Sequence, residues 1–267
     1  MATYKQWPMP DIGVVGFTGD EQVRGVLAAL PENLDRKIVF GVSVSPANRL
    51  AESPRNIPKG LPSREAIGKI FVKHPRALNL VDIYDTGRQH LTGQMITAQS
   101  FGGEHCDGLR LGIPFPDPRA LQGFHDATFN RHTIVLQCSA KALSDEKWLP
   151  EHIAWRISEY EGLIGQVLLP KEGPHTRSDG LIDVDFITRC FEAISKKTPR
   201  IGFGVSVDLA PEKLDLLYPI LKRFPYFSVN ARGFFYDAEG KPDISLVVKY
   251  LKRATVLMNE HRRSTIG

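Results

Sequence analysis

Short apolar runs alternate with amphipathic stretches eight times along the chain. The runs are GVVGF (13–17), KIVFGVSV (37–44), ALNLVDIY (77–84), DGLRLGI (107–113), HTIVLQC (132–138), LIGQVLL (163–169), RIGFGVSV (200–207) and YFSVN (226–230). They are short, apolar on both faces and rich in Val and Ile, as strands buried between helices must be. Between them the period lengthens to that of a helix. Residues 20–30 open with Asp20 as a cap, and residues 63–72 open with Ser63 and an early Glu65. Further helices are expected at 87–100, 117–129, 147–160, 183–196, 211–223 and 242–258, with Pro118 and Pro211 near helix starts, where a missing N–H is harmless.

Strand–helix units of this kind imply right-handed crossovers and a parallel sheet. About 250 residues is the usual size of a closed (β/α)8 barrel. The competing arrangement, an open doubly wound sheet, wants a Gly-rich dinucleotide turn after its first strand. The chain has GFTGDE there, which is not G-x-G-x-x-G. The expected fold is therefore α/β, a single (β/α)8 TIM barrel over residues 1–267, with residues 1–10 and 259–267 as peripheral tails.

Composition narrows the classes further. Of 267 residues 42% are apolar, enough for a full core, and 34 basic residues face 30 acidic ones for a net charge of +4. So mild and interspersed a charge does not favour nucleic acid. No apolar run reaches the roughly 18 residues of a membrane span, and the first ten residues lack a secretory apolar segment. Three scattered cysteines, Cys106, Cys138 and Cys190, have neither disulfide nor metal spacing, which suits a reducing cytoplasm. No metal-binding or cofactor motif stands out. The expected partner is a small anionic metabolite, with the chain a monomer or homodimer.

Several strand ends resemble the phosphoribosylanthranilate isomerase family, barrels that isomerise an aminoribose phosphate. VVGFTGDEQV (14–23) is similar to the family's first unit, SPRNI (53–57) to its S-P-R loop after strand two, and GPHTRSDGLIDVDF (173–186) to its Gly-rich loop and following helix. LAPEKL (209–214) resembles L-x-P-E-N-V after strand seven. SVNARGFFYDAEGKPDISLVVKYLKRA (228–254) resembles the last unit, with its phosphate turn and final helix. The resemblance implies the barrel. It also places Val15 where the family has its general base, a cysteine, and Pro170 where it has its general acid, an aspartate. Neither replacement moves a proton, and such groups are typically worth 10²–10⁴-fold in rate. The family's phosphate-binding glycine pair is replaced around Val207–Asp208. The resemblance thus carries the fold and not the family's own reaction.

Candidate chemistry has to come from other strand ends. Asn230 ends the eighth apolar run and Ala231, Arg232 and Gly233 follow it, where successive N–H groups, a glycine and a guanidinium can form an anion nest. Arg55 carries the fork for a carboxylate. Lys171, Glu172, His175, Arg177 and Asp179 crowd one loop that also holds Gly173 and Gly180, and His175 suits proton transfer. Cys138 serves as base or nucleophile if it faces the mouth, or else is a small buried hydrophobe. Asp82, Asp85, Arg110 and Asp208 are further candidates; Asp82 and Asp85 are three apart, so at most one faces inward. Catalytic roles are expected from His175, Cys138, Asp208 and Lys171, and anion contacts from Arg55, Arg177, Asn230, Ala231, Arg232 and Gly233. The reaction expected is an isomerase- or lyase-type proton transfer on a phosphorylated or carboxylated metabolite. The alternatives are a barrel that only binds a ligand or partner protein, and one that keeps isomerase activity through relocated groups.

Overall fold

The computed structural model describes residues 10–30, 34, 36–44, 62, 64–84, 90–174, 182–231, 235–236 and 242–264. Eight parallel strands close into a barrel in sequential order: β1 (Asp11–Val15), β2 (Lys37–Val44), β3 (Ala77–Tyr84), β4 (Gly108–Gly112), β5 (Thr133–Gln137), β6 (Gln166–Pro170), β7 (Gly202–Ser206) and β8 (Ser228–Ala231). Closure is made by β8 on β1, with Gly13 opposite Asn230.

The helices lie outside: α1 (Asp20–Ala29), α2 (Arg64–Ile70), α3 (Leu91–Phe101), α4 (Pro118–Ala127), α5 (Ala140–Asp145), α6 (Pro150–Ser158), α7 (Val184–Lys197), α8 (Tyr218–Arg223) and α9 (Ile244–Ser264). Most of the buried apolar side chains fill the shell between strands and helices. The barrel interior holds a much smaller apolar cluster of Val39, Leu78, Leu80, Val135 and Leu168. Strands with apolar residues on both faces were the expectation, yet the inner face is apolar only in part.

The differences from the expected elements have local causes. β1 begins at Asp11 and stops at Val15, because Gly16 takes φ +95° and breaks the strand. Phe17 therefore belongs to the outer shell, 5.2 Å from Phe40 ring to ring. α1 is capped by Gly19 rather than Asp20, and the Gln22 side chain accepts from the Thr18 and Gly19 N–H groups at 2.8 and 3.2 Å. The expected helix 147–160 is shorter and is preceded by the unexpected α5. Lys147 and Trp148 both take φ 55°, and the next helix restarts at Pro150. Trp148 and Trp155 consequently do not share one helix: Trp148 packs on Phe186, while Trp155 is exposed. The stretch 211–223 opens as a 3-10 turn over Pro211–Leu217 before α8 begins, and α9 continues to Ser264.

Candidate functional site

Strand side chains alternate between the two faces of a sheet, so one cross-barrel contact per strand reveals which residues face the axis. Arg110 on β4 supplies most of these contacts. Its Nε and Nη2 donate to the two oxygens of Asp82 on β3 at 2.9 and 2.6 Å, and its Nη1 donates to Asn230 Oδ1 on β8 at 2.7 Å. The Asn230 amide then reaches Asp11 Oδ1 on β1 at 3.4 Å. The Ser228 hydroxyl accepts the Asp11 N–H at 2.9 Å and also the Gln166 amide.

Arg110 and Asp82 are 2% and 0% exposed, so this network is a polar plug across the barrel, closed to solvent. Two glycines make room for it. A Cβ on Gly13 would lie 1.7 Å from Asn230 Oδ1, and one on Gly41 would lie 2.4 Å from Arg110 Nη2. Burial opposes the Arg110 charge, but Asp82, and with it Tyr84 and Asp11, raises its pKa further from the physiological range. Burial pushes the Asp11 carboxyl up to about 6, against the opposing pull of Arg110 and Arg36.

The same alternation identifies the inward-facing residues at the carboxyl ends of the strands, where a (β/α)8 barrel places its site. They are Val15, Ser43, Tyr84, Gly112, Gln137, Pro170 and Ser206. Val15 and Pro170 are buried, and the other five are partly open to solvent. Gln137 reaches across β6 to donate to Ser206 Oγ at 3.3 Å. The Tyr84 hydroxyl lies 3.4 Å from Asp82 Oδ2. Its ring lies over the end of β4, since a Cβ on Gly112 would come within 2.2 Å of Tyr84 Cδ1. On the far side, the Tyr236 hydroxyl donates to the Val15 carbonyl at 3.2 Å. The end of β1 is thereby covered, and the open part of the mouth is lined by two serines, a tyrosine and a glutamine.

Lys171 and Asp208 stand just beyond this ring. Pro170 and Ser206 are register partners, so Lys171, one residue past β6, and Asp208, two residues past β7, occupy neighbouring strand ends. Lys171 is half-buried and Asp208 exposed. The base of the loop after β6 is anchored by the Asp183 N–H, which donates to the Lys171 carbonyl at 3.0 Å, while the Asp183 carboxylate caps α7 through the Phe186 N–H at 3.1 Å.

This geometry places three of the expected residues. Cys138 does not face the mouth. Gln137 takes the inward position, so the thiol points into the outer shell, where burial pushes it up to about 12 and leaves almost no thiolate at neutral pH. The Asn230 side-chain amide is engaged at both ends inside the plug, and its backbone lies in β8 rather than in a turn. Ala231 is the last residue of β8, opposite Val14, and its methyl packs outward. The strand runs further than expected, so the turn begins after Ala231. Asp82 does face inward, as one of the two aspartates had to, but it is sealed by Arg110. Arg55, Asp85, His175, Arg177, Asp179, Arg232 and Gly233 lie outside the described residues.

Ser43, Tyr84, Gln137 and Ser206 were not among the expected site residues. The signal that finds them is strand parity counted back from each strand end, and it becomes usable only once the strand boundaries are known. Among the described residues no group of three or more His, Cys, Asp or Glu side chains is placed to hold a metal ion, and no helix is long and apolar enough to cross a membrane.

No protein-family model and no curated protein sequence matches the chain. Solved structures do resemble it. Phosphoribosyl anthranilate isomerase from Thermus thermophilus superposes with a TM-score of 0.62 at 12% identity, covering 92% of this chain and 99% of the other. The Thermotoga maritima enzyme gives 0.60 at 14% identity, covering 93% and 100%. Orotidine 5'-monophosphate decarboxylase from Methanocaldococcus jannaschii gives 0.50 at 11%, covering 92% and 98%. At such identities the likeness is one of fold, and the (β/α)8 barrel is what these neighbours share with the chain.

Proposed function

We propose that the chain binds a small phosphorylated or carboxylated metabolite at the carboxyl-end mouth of the barrel and acts on it by an isomerase- or lyase-type proton transfer. One observation carries this reading: an open ring of uncharged hydrogen-bonding side chains, Ser43, Tyr84, Gln137 and Ser206, with Lys171 and Asp208 at the adjoining ends of β6 and β7. Hydroxyl and amide groups fix the orientation of a polar ligand, while an ammonium and a carboxylate supply charge recognition and proton transfer. On sequence grounds alone, Arg55, Arg177, Arg232 and Gly233 are the anion contacts and His175 is a proton carrier. The isomerisation named for the structural neighbours, run through a cysteine and an aspartate at the matching positions, is not the reaction, because Val15 and Pro170 stand there.

Those two residues also favour the second reading, a barrel that binds the same kind of ligand without turnover. Thermal melting against phosphosugars, inorganic phosphate, carboxylates and divalent cations tests the shared part. A ligand at about 100 times its dissociation constant stabilises by about 2.7 kcal/mol, which for a domain of this size is a shift of about 5–10 °C. The expected result is a saturable shift with one class of anion, reduced in Lys171→Ala. Melting unchanged by every anion overturns the proposal. Incubating the bound compound with the protein in D2O then separates the readings: deuterium enters a carbon position if the barrel catalyses proton transfer and does not if it only binds.

A further inference from the structure

Val15 and Pro170 leave open which side chain handles protons inside the mouth, and Cys138 faces away from it. Among the described residues, the inward-facing strand ends hold Val15, Ser43, Tyr84, Gly112, Gln137, Pro170 and Ser206, and only one of these side chains both titrates and reaches solvent. It is Tyr84. Its place is closely determined. The ring lies over the end of β4, where Gly112 has no side chain to displace it. The hydroxyl sits against Asp82 Oδ2, and Asp82 is held by two hydrogen bonds from Arg110, itself braced by Asn230. A titrating group oriented by a second group, which a third group orients in turn, is the arrangement expected of an acid or base at an active site.

Resting on the proposed function, we infer that Tyr84 is the proton donor to an oxygen of the bound metabolite, with Asp82 and Arg110 as its positioning pair. The hydrogen bond to Asp82, at 3.4 Å, is long enough to be exchanged for a ligand oxygen. The donor acts on a metabolite with a carbonyl beside a C–H bond. A base at the mouth removes the carbon-bound proton, the C–H electron pair becomes the new C=C bond, and the carbonyl π pair moves onto oxygen and takes the Tyr84 proton. The resulting phenolate is stabilised by the Arg110 guanidinium. When the enol collapses, its O–H proton returns to Tyr84 and the base delivers a proton to the same carbon, so that the C–H hydrogen is exchanged with solvent or its configuration inverted.

The test uses the full chain with three carbonyl-bearing anions, ribulose 5-phosphate, dihydroxyacetone phosphate and pyruvate, against glycerol 3-phosphate, which lacks the carbonyl. Wild type is expected to bind at least one of the three. Tyr84→Phe keeps the ring and is expected to bind that compound at least tenfold more weakly, with a clearly smaller loss for glycerol 3-phosphate. A readout on the wild-type chain guards against loss of fold in the variant. In protein labelled with ¹³Cζ tyrosine, the resonance absent from Tyr84→Phe is expected to move on adding the carbonyl compound and to move less with glycerol 3-phosphate. Asp82→Asn is expected to reduce that shift. Binding with an unmoved Tyr84 resonance, or with full affinity in Tyr84→Phe, overturns this inference and leaves the proposed function standing. If none of the four compounds and no other anion binds, the proposed function fails and the inference with it.

Discussion

Asp82→Ala is expected to destabilise the chain by about 3–5 kcal/mol and to lower its melting temperature by about 6–20 °C. The carboxylate makes two of the three side-chain hydrogen bonds to Arg110, and both residues are closed to solvent. Without it the buried guanidinium keeps one of these hydrogen bonds, to the neutral Asn230 amide oxygen, and neither burial nor pH will remove its charge. Replacing both partners with apolar residues, Asp82→Leu with Arg110→Met, is expected to recover much of the loss, since no charge is then left unpaired. Calorimetric melting of the two variants checks this. If Asp82→Ala melts within 2 °C or so of wild type, the plug is solvated and its role in the fold is overstated.

The second large effect runs in the opposite direction to intuition. Asp11→Asn is expected to stabilise the chain near neutral pH. The Asp11 carboxyl has an ordinary value of 3.8 and is raised to about 6 in the folded chain, chiefly by burial, with Arg110 and Arg36 only partly offsetting it. The folded state thus holds this proton more tightly than the unfolded state. Stability linked to Asp11 is fully present below about pH 4 and is lost as pH rises through about 6. A difference of about two pH units corresponds to about 3 kcal/mol. Asparagine keeps an oxygen for the Asn230 amide and carries no charge. Denaturant unfolding between pH 4 and 7.5 is expected to show Asp11→Asn gaining on wild type by about 3 kcal/mol across that range. Parallel curves for the two proteins contradict the assignment.

Much of the barrel was legible because its strands are short, apolar on their outer face and spaced by amphipathic helices: β2 and β3 coincide with the apolar runs 37–44 and 77–84. Boundaries elsewhere slipped by one to three residues wherever glycine ended a strand or a turn carried apolar residues. The start of β6 is an example: Leu163 and Ile164 continue the apolar run but lie in a turn at Gly162, where φ is 85°. Those small slips matter for the site. Each one-residue shift exchanges the inward and outward faces, which is why Cys138 looked eligible and Gln137 did not. Extending β8 by one residue moved Ala231 from a turn into the strand. The plug was illegible for a different reason. Arg110, Asp82, Asn230 and Asp11 come from four strands, with Asp11 and Asn230 219 positions apart. Pairing of that kind leaves no mark on any local window. The space it occupies is marked only by Gly13 and Gly41, two glycines inside strands.

The central claim is that ligands enter at the carboxyl end of the strands. Calorimetric titration of whichever anion stabilises wild type most, repeated on Ser206→Val and on Arg131→Ala, tests it most directly. Ser206 lines the mouth and accepts from Gln137, whereas Arg131 is exposed between α4 and β5 at the opposite end. A valine at 206 adds bulk and removes the hydroxyl that orients Gln137. At least a tenfold loss of affinity is expected in Ser206→Val and none in Arg131→Ala. Affinity unchanged in Ser206→Val, with a loss in Arg131→Ala, would place binding at the other end of the barrel and contradict it.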